Sequence, residues 1–132
     1  MLVIEDNAGD VELLTIAMAT RGLTIRLTLA EDGDLGLAAL QRLIDAGEPP
    51  DLVLLDLNMP RRNGFEVLAA ISIMIPPSAC PVAVWSSSTS AGDQDRSRAA
   101  GASRFFSKPE KFDDYLVLAE ALGAMLTKPT SG

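Results

Sequence analysis

Four short stretches of this chain carry residues that can do chemistry: Glu5-Asp6, Asp56 with Asn58, Ser86, and Lys108-Pro109. Together they hold three carboxylates, a hydroxyl and an ammonium, the parts of a site that binds a hard cation and handles a phosphoryl group. Each follows a run that reads as a strand: Leu2–Ile4 before Glu5, Leu52–Leu55 before Asp56, Val82–Trp85 before Ser86, and the brief Arg104–Phe106 before Ser107-Lys108. Short apolar runs closed by polar and turn residues are the mark of buried strands. In an open α/β sheet the C-terminal strand ends share one edge, and ligands bind there. Taken singly, Glu5-Asp6 reads as a solvated turn, Lys108-Pro109 as a loop and Ser86–Ser88 as strand-end polarity. The convergence of all four is what points to a site.

Two carboxylates about 4 Å apart repel by roughly 1–4 kcal/mol at effective dielectrics of 80 to 20. Three need a counter-charge, and Mg²⁺ typically takes one or two carboxylates plus waters. Within DLVLLDLNMP, Asp56 is the acid that directly follows the apolar run Leu52–Leu55 and is expected to be the nucleophile. Asp6 is expected to be the principal metal ligand, with Asp56 beside it, Glu5 acting through a metal-bound water and Asn58 offering its backbone carbonyl. Mg²⁺ in that place bridges the acids and an incoming phosphate. Lys108 pairs with a carboxylate at rest and with a phosphoryl oxygen afterwards, and Ser86 donates a hydrogen bond to the same group. The chain has no histidine, which excludes His-ligated zinc, a Ser-His-Asp triad and a phosphoaccepting histidine.

The elements that must position these residues follow in order. Asn7, Gly9 and Asp10 start a helix carrying Val11, Leu14, Ala17 and Met18, which Gly22 stops. Thr24–Ala30 alternates with Ile25, Leu27 and Leu29 on one face, the pattern of a half-exposed edge strand. Asp32–Asp34 opens a second helix bearing Leu37, Leu40, Leu43 and Ile44, ended by Gly47 and Pro49-Pro50. Asn63 caps a third with Phe65, Leu68 and Ile71, broken by Pro76-Pro77. Ala91–Ala100 is a weak polar helix and Phe112–Leu126 a strong one. Five strands alternating with five helices predict a flavodoxin-like, doubly wound parallel sheet of order 2-1-3-4-5, with the alternating second strand at an edge. One domain is expected over residues 1–126, then a short tail over 127–132. The first strand begins almost at the first residue, so a few residues are expected to precede it.

At 132 residues, 48% hydrophobic and 22% charged, the chain has the composition of a single globular domain with a real core. No run approaches the roughly 18–20 apolar residues that span a bilayer, and no signal peptide is visible. The lone Cys80 cannot form an intrachain disulfide. These features place the expectation in the cytoplasm. A net charge of −7 with no basic cluster argues against nucleic acid.

On Glu5-Asp6, Asp56 with Met59-Pro60 and Gly64, Ser86 and Lys108-Pro109, the sequence resembles the receiver domain of two-component response regulators, over essentially its whole length. The resemblance implies a Mg²⁺-dependent transfer of a phosphoryl group from a sensor histidine kinase's phosphohistidine to Asp56. It implies slow autodephosphorylation tuned by Asn58 and Ser88, and a phosphoacceptor rather than an enzyme proper. It also implies a cis Lys108-Pro109 bond, a form essentially confined to proline. The family's usual threonine is Ser86 here, the small residue after it is Ser87, and the aromatic switch position is Phe105, which lacks a hydroxyl. Glu5-Asp6-Asn7 with Asp10, in a chain with no output domain, resembles the small regulators paired with bacterial phytochromes.

Rivals fail on particular residues. A flavodoxin would put a hydroxyl- and glycine-rich phosphate loop where Glu5-Asp6 stands. A haloacid-dehalogenase-like phosphatase needs a second acid where Asn58 stands. The alternative that survives is a receiver-fold interaction module that does not turn over phosphate. Trp85 is read as core or pocket wall, Met59 as loop packing and Arg61-Arg62 as a solvated pair. A homodimer is expected through the last helix. Phe112, Leu116, Ala119, Leu122 and Leu126 would face the sheet, leaving Val117, Leu118, Ala121 and Met125 for a partner copy.

Overall fold

The computed structural model describes residues 1–59, 63–87 and 90–126. Pro60, Arg61-Arg62, Ser88 and the 127–132 tail lie outside them. Five parallel strands run β1 (Leu2–Ile4), β2 (Thr28–Ala30), β3 (Val53–Asp56), β4 (Val82–Ser86) and β5 (Arg104–Ser107), in the order β2-β1-β3-β4-β5. The helices are α1 (Ala8–Thr20), α2 (Gly33–Asp45), α3 (Gly64–Met74), α4 (Ala91–Ala99) and α5 (Phe112–Leu126). This is the doubly wound order that the alternation of elements predicts. Among the described residues no helix is long and apolar enough to cross a membrane.

The chain divides into two compact units. The first, Met1–Asp6 with Leu27–Lys108, holds the whole sheet and α2, α3 and α4. Leu2, Ile4, Val53, Leu55, Val82 and Val84 form one core with Leu40 of α2 and with Val67, Leu68 and Ile71 of α3. Successive strand residues point to opposite faces, and the alternate set Val3, Leu54, Ala83 and Trp85 is equally inaccessible. Burial on both faces is why β1, β3 and β4 read as unbroken apolar runs. Each large side chain so buried stabilises the fold by about 1.5–3 kcal/mol.

Two expectations change here. The β2 strand covers only Thr28–Ala30, not Thr24–Ala30, because β1 offers it three partners: Leu2 to Thr28, Val3 to Leu29 and Ile4 to Ala30. The buried side of α2 is Gly33, Gly36, Ala39 and Leu40, with Leu37, Leu43 and Ile44 only half-buried. A Cβ on Gly36 would stand 2.5 Å from Ile4 Cδ1, so α2 lies against β1 on its smallest residue. Helix α4 buries only Ser97, and Ser72 Oγ of α3 lies 3.0 Å from the Ala100 carbonyl at its end.

The second unit comprises Asn7–Arg26 and the chain from Pro109, and contains α1 and α5. Helix α1 buries Val11, Leu14, Ala17 and Met18 as its spacing predicts, and it stops before Gly22, whose φ is 73°. Arg21 Nε pairs with Glu120 Oε1 at 3.3 Å, and Tyr115 donates its hydroxyl to Asp10 Oδ1 at 3.3 Å. Helix α5 buries Tyr115, Leu118, Ala119, Leu122 and Gly123. Leu118 is therefore inside, and Phe112 is 38% exposed, which corrects the assignment of both. Tyr115, Leu118, Ala119 and Leu122 form an i, i+3, i+4, i+7 stripe. Gly123 is buried beside it, a Cβ there lying only 2.9 Å from Leu23 Cδ1.

Candidate functional site

Glu5, Asp6, Asp56, Asn58, Ser86 and Lys108 all lie in the first unit, at the C-terminal edge of the sheet, whereas Pro109 belongs to the second. Asp56 closes β3 at 2% exposure, and Glu5 follows β1 at 1%, while Asp6 is exposed. Ser86 closes β4 and is fully buried. The β5 strand registers Ser107 against Ser86, and the Lys108 N–H donates to the Ser86 carbonyl at 2.8 Å. That bond fixes where the lysine leaves the sheet.

Just after β3, Leu57 and Gly64 make a close backbone approach. A Cβ on Gly64 would lie 2.5 Å from Leu57 Cα, so only glycine lets the start of α3 close on this backbone. Asn63 caps α3 by accepting from the Phe65 N–H at 2.8 Å. Beside them the Asn58 N–H donates to Asp56 Oδ1 at 2.9 Å, and Asn58 Nδ2 donates to Ser86 Oγ at 2.6 Å. One carboxylate oxygen of Asp56 is thus oriented by its own loop.

Lys108 Nζ stands 2.7 Å from Glu5 Oε1 and 3.3 Å from Asp56 Oδ2. A carboxylate as inaccessible as Glu5 is tenable only with such a partner. The ligand oxygens of Glu5, Asp6 and Asp56 all lie within 4.8 Å of one another. Three formal negative charges against one ammonium leave two, and every donor is a hard oxygen. The pocket fits a divalent cation in both charge and chemistry.

The expected cis form of the Lys108–Pro109 bond is not found: no peptide bond among the described residues is cis. Trans is the preferred isomer for X–Pro by about 0.5–1 kcal/mol. Phe105 is half-buried against the main core, Ser87 is exposed and Met59 is buried in that core. Two features escape a sequence reading. Asn58, expected to act through its backbone carbonyl and in tuning, also reaches Ser86 with its side-chain amide. The ring of Trp85 lies under Lys108, with Nζ 5.2 Å from its centroid. Residues 23 positions apart meet only through strand register, Trp85 opposite Phe106, which no local spacing reveals.

A five-stranded flavodoxin-like domain with an acid pocket at its C-terminal strand edge is therefore what the fold and site define. The chain belongs to the response regulator receiver domain family, whose model matches residues 1–120. The probable methanogenesis regulatory protein FilR2 of Methanothrix harundinacea is 35% identical over 116 residues, 86% of this chain and 74% of its own. The response regulator Rcp1 of Synechocystis is 29% identical over 127 residues, 92% of this chain and 84% of its own. A manganese-bound form of response regulator Rcp1 superposes with a TM-score of 0.81 at 28% identity, over 98% of this chain and 95% of that one. A phosphorylated cyanobacterial phytochrome response regulator, RcpA, gives 0.81 at 28% identity over 98% and 94%. Other relatives are longer, the chain spanning 29% of one and 49% of another.

Proposed function

We propose that this chain accepts a phosphoryl group on Asp56 from the phosphohistidine of a sensor histidine kinase and changes conformation to pass on a signal. The observation that carries this reading is Lys108 Nζ set between Glu5 and Asp56 at 2.7 and 3.3 Å, at the edge where three carboxylates meet. An Asp56 carboxylate oxygen attacks phosphorus in line, the new O–P bond forming as the donor's N–P bond breaks with its electron pair leaving on the imidazole. Lys108 then moves its charge toward a phosphoryl oxygen, and the Ser86 hydroxyl donates to another. Asp6 and Asp56 would hold Mg²⁺, with the Asn58 carbonyl and, through water, Glu5. When bound, that ion supplies charge neutralisation at the phosphoryl oxygens. Slow hydrolysis of the acyl phosphate resets the chain.

The kinship with Rcp1 and RcpA supports a phytochrome-type kinase as donor, and a cytoplasmic setting follows from such a partner. A homodimer through α5 would rest on Phe112 and Val117, since Leu118 is buried. The test of the main reading is acetyl phosphate labelling with Mg²⁺. The wild type takes one phosphoryl group and Asp56→Asn none. Undiminished labelling of Asp56→Asn would overturn the nucleophile. No labelling of the wild type would favour a receiver-fold interaction module.

A further inference from the structure

We infer that Trp85 is a positioning residue for Lys108, its indole face holding the ammonium in the pocket when the carboxylates are engaged elsewhere. The inference rests on the proposed function for its kinetic consequence, though not for its geometry. Trp85 is the only tryptophan in the chain, is fully buried, and stands on β4 in register with Asp56. Its ring lies 5.2 Å from Lys108 Nζ, within the roughly 6 Å at which a cation is drawn to an aromatic face.

A buried indole N–H normally finds an acceptor. Trp85 Nε1 has no hydrogen-bond partner among the described residues. The ring's polar edge has no hydrogen-bond partner among the described residues, whereas its face meets the Lys108 ammonium.

Lys108 Nζ also pairs with Glu5 and Asp56, both in the carboxylate cluster that a divalent cation would take. Lysine is a flexible, strongly hydrated point charge with much rotamer freedom to lose. Once a metal draws on the carboxylates, their hold on the ammonium weakens and solvent competes for it. The indole face is neutral and no ligand for a hard cation, so its attraction persists through metal binding. Lys108 thereby stays over the pocket for an arriving phosphoryl oxygen.

The test has two arms. The first is spectroscopic and needs no phosphate. Tryptophan emission is compared between Glu5→Gln and Glu5→Gln/Lys108→Met, which both lack the buried carboxylate and differ only in the ammonium. The expected result is a shifted emission maximum on losing Lys108, in both the presence and the absence of Mg²⁺. Identical spectra in Mg²⁺ would overturn the inference.

The second arm is the acetyl phosphate rate of Trp85→Phe and Trp85→Leu. The leucine variant is expected to fall by roughly 2- to 30-fold, the range such contacts span, and the phenylalanine variant, which keeps an aromatic face, to recover most of it. In the Lys108→Ala background, replacing Trp85 should change nothing further. Equal losses for phenylalanine and leucine would reduce Trp85 to packing and overturn the inference. If the wild type takes no phosphate, the proposed function fails and the emission arm alone decides this one.

Discussion

Lys108 Nζ lies 2.7 Å from Glu5 Oε1, a carboxylate whose side chain is fully inaccessible, while the lysine itself is 14% exposed. The pair is an ion pair held almost out of water, and the asymmetry of burial decides what its loss costs. Removing one partner of a buried pair typically costs about 3–5 kcal/mol, because the other charge is left uncompensated. Lys108→Met should lower urea-unfolding stability by an amount in that range in metal-free buffer. Millimolar Mg²⁺ should restore part of it by supplying a counter-charge to the same carboxylates. A variant as stable as wild type without metal would show that Glu5 needs no ammonium.

Asp6 is the exposed member of the cluster and has no ion pair with Lys108, unlike Glu5 and Asp56. It is therefore the acid freest to give its charge to a metal. Asp6→Asn should weaken Mg²⁺ binding by at least about tenfold, the change that roughly 1.4 kcal/mol of lost attraction produces. Calorimetric titration measures it directly. An unchanged affinity would move the metal away from this pocket.

Much of this arrangement was legible in the sequence, because buried parallel strands write themselves as apolar runs and the acids stand at their ends. Asp56, Glu5, Ser86 and Lys108 were placed at one edge by strand order alone. What was not legible depends on which of two helix stripes meets a neighbour. On α5, Leu118 and Phe112 are equally apolar, and the packing of Tyr115, Ala119 and Gly123 decides between them. On α2, Gly33 and Gly36 carry no hydropathy signal, yet they define the buried side because backbone approach, not side-chain area, sets it there. The failed cis expectation at Pro109 came from resemblance, and no residue pattern supports it.

The two glycines Gly64 and Gly92 should respond oppositely to alanine. At Gly64 a Cβ meets Leu57 Cα at 2.5 Å and Leu57 O at 2.8 Å, backbone atoms that cannot swing aside. Gly64→Ala should destabilise by about 1–3 kcal/mol, as overpacking does. At Gly92, in α4, nothing lies within 4 Å. Gly92→Ala should stabilise by roughly 0.5 kcal/mol through helix propensity and a less disordered unfolded chain. Thermal melts of the two variants decide, and a neutral Gly64→Ala would show that the Leu57 backbone gives way without cost.

Asn58 makes two contacts that a carboxylate would treat differently. Its backbone N–H to Asp56 Oδ1, at 2.9 Å, survives any side-chain change, whereas Nδ2 donating to Ser86 Oγ at 2.6 Å requires the amide. Asn58→Asp replaces that donor with an acceptor. The serine hydroxyl can turn to donate instead, so the contact itself is recoverable. The added charge is not, because it joins three acids that already repel, at a cost of roughly 1–4 kcal/mol per close pair. In metal-free buffer the variant should therefore melt below wild type, by about 1 kcal/mol given that Asn58 is exposed and its charge is screened. In Mg²⁺ the order should narrow or reverse, since a fourth carboxylate strengthens the site for a hard cation. Melts at matched ionic strength, with Mg²⁺ and with EDTA, separate the two effects. A variant whose stability relative to wild type is the same in both buffers would mean that residue 58 lies outside the field of the metal pocket.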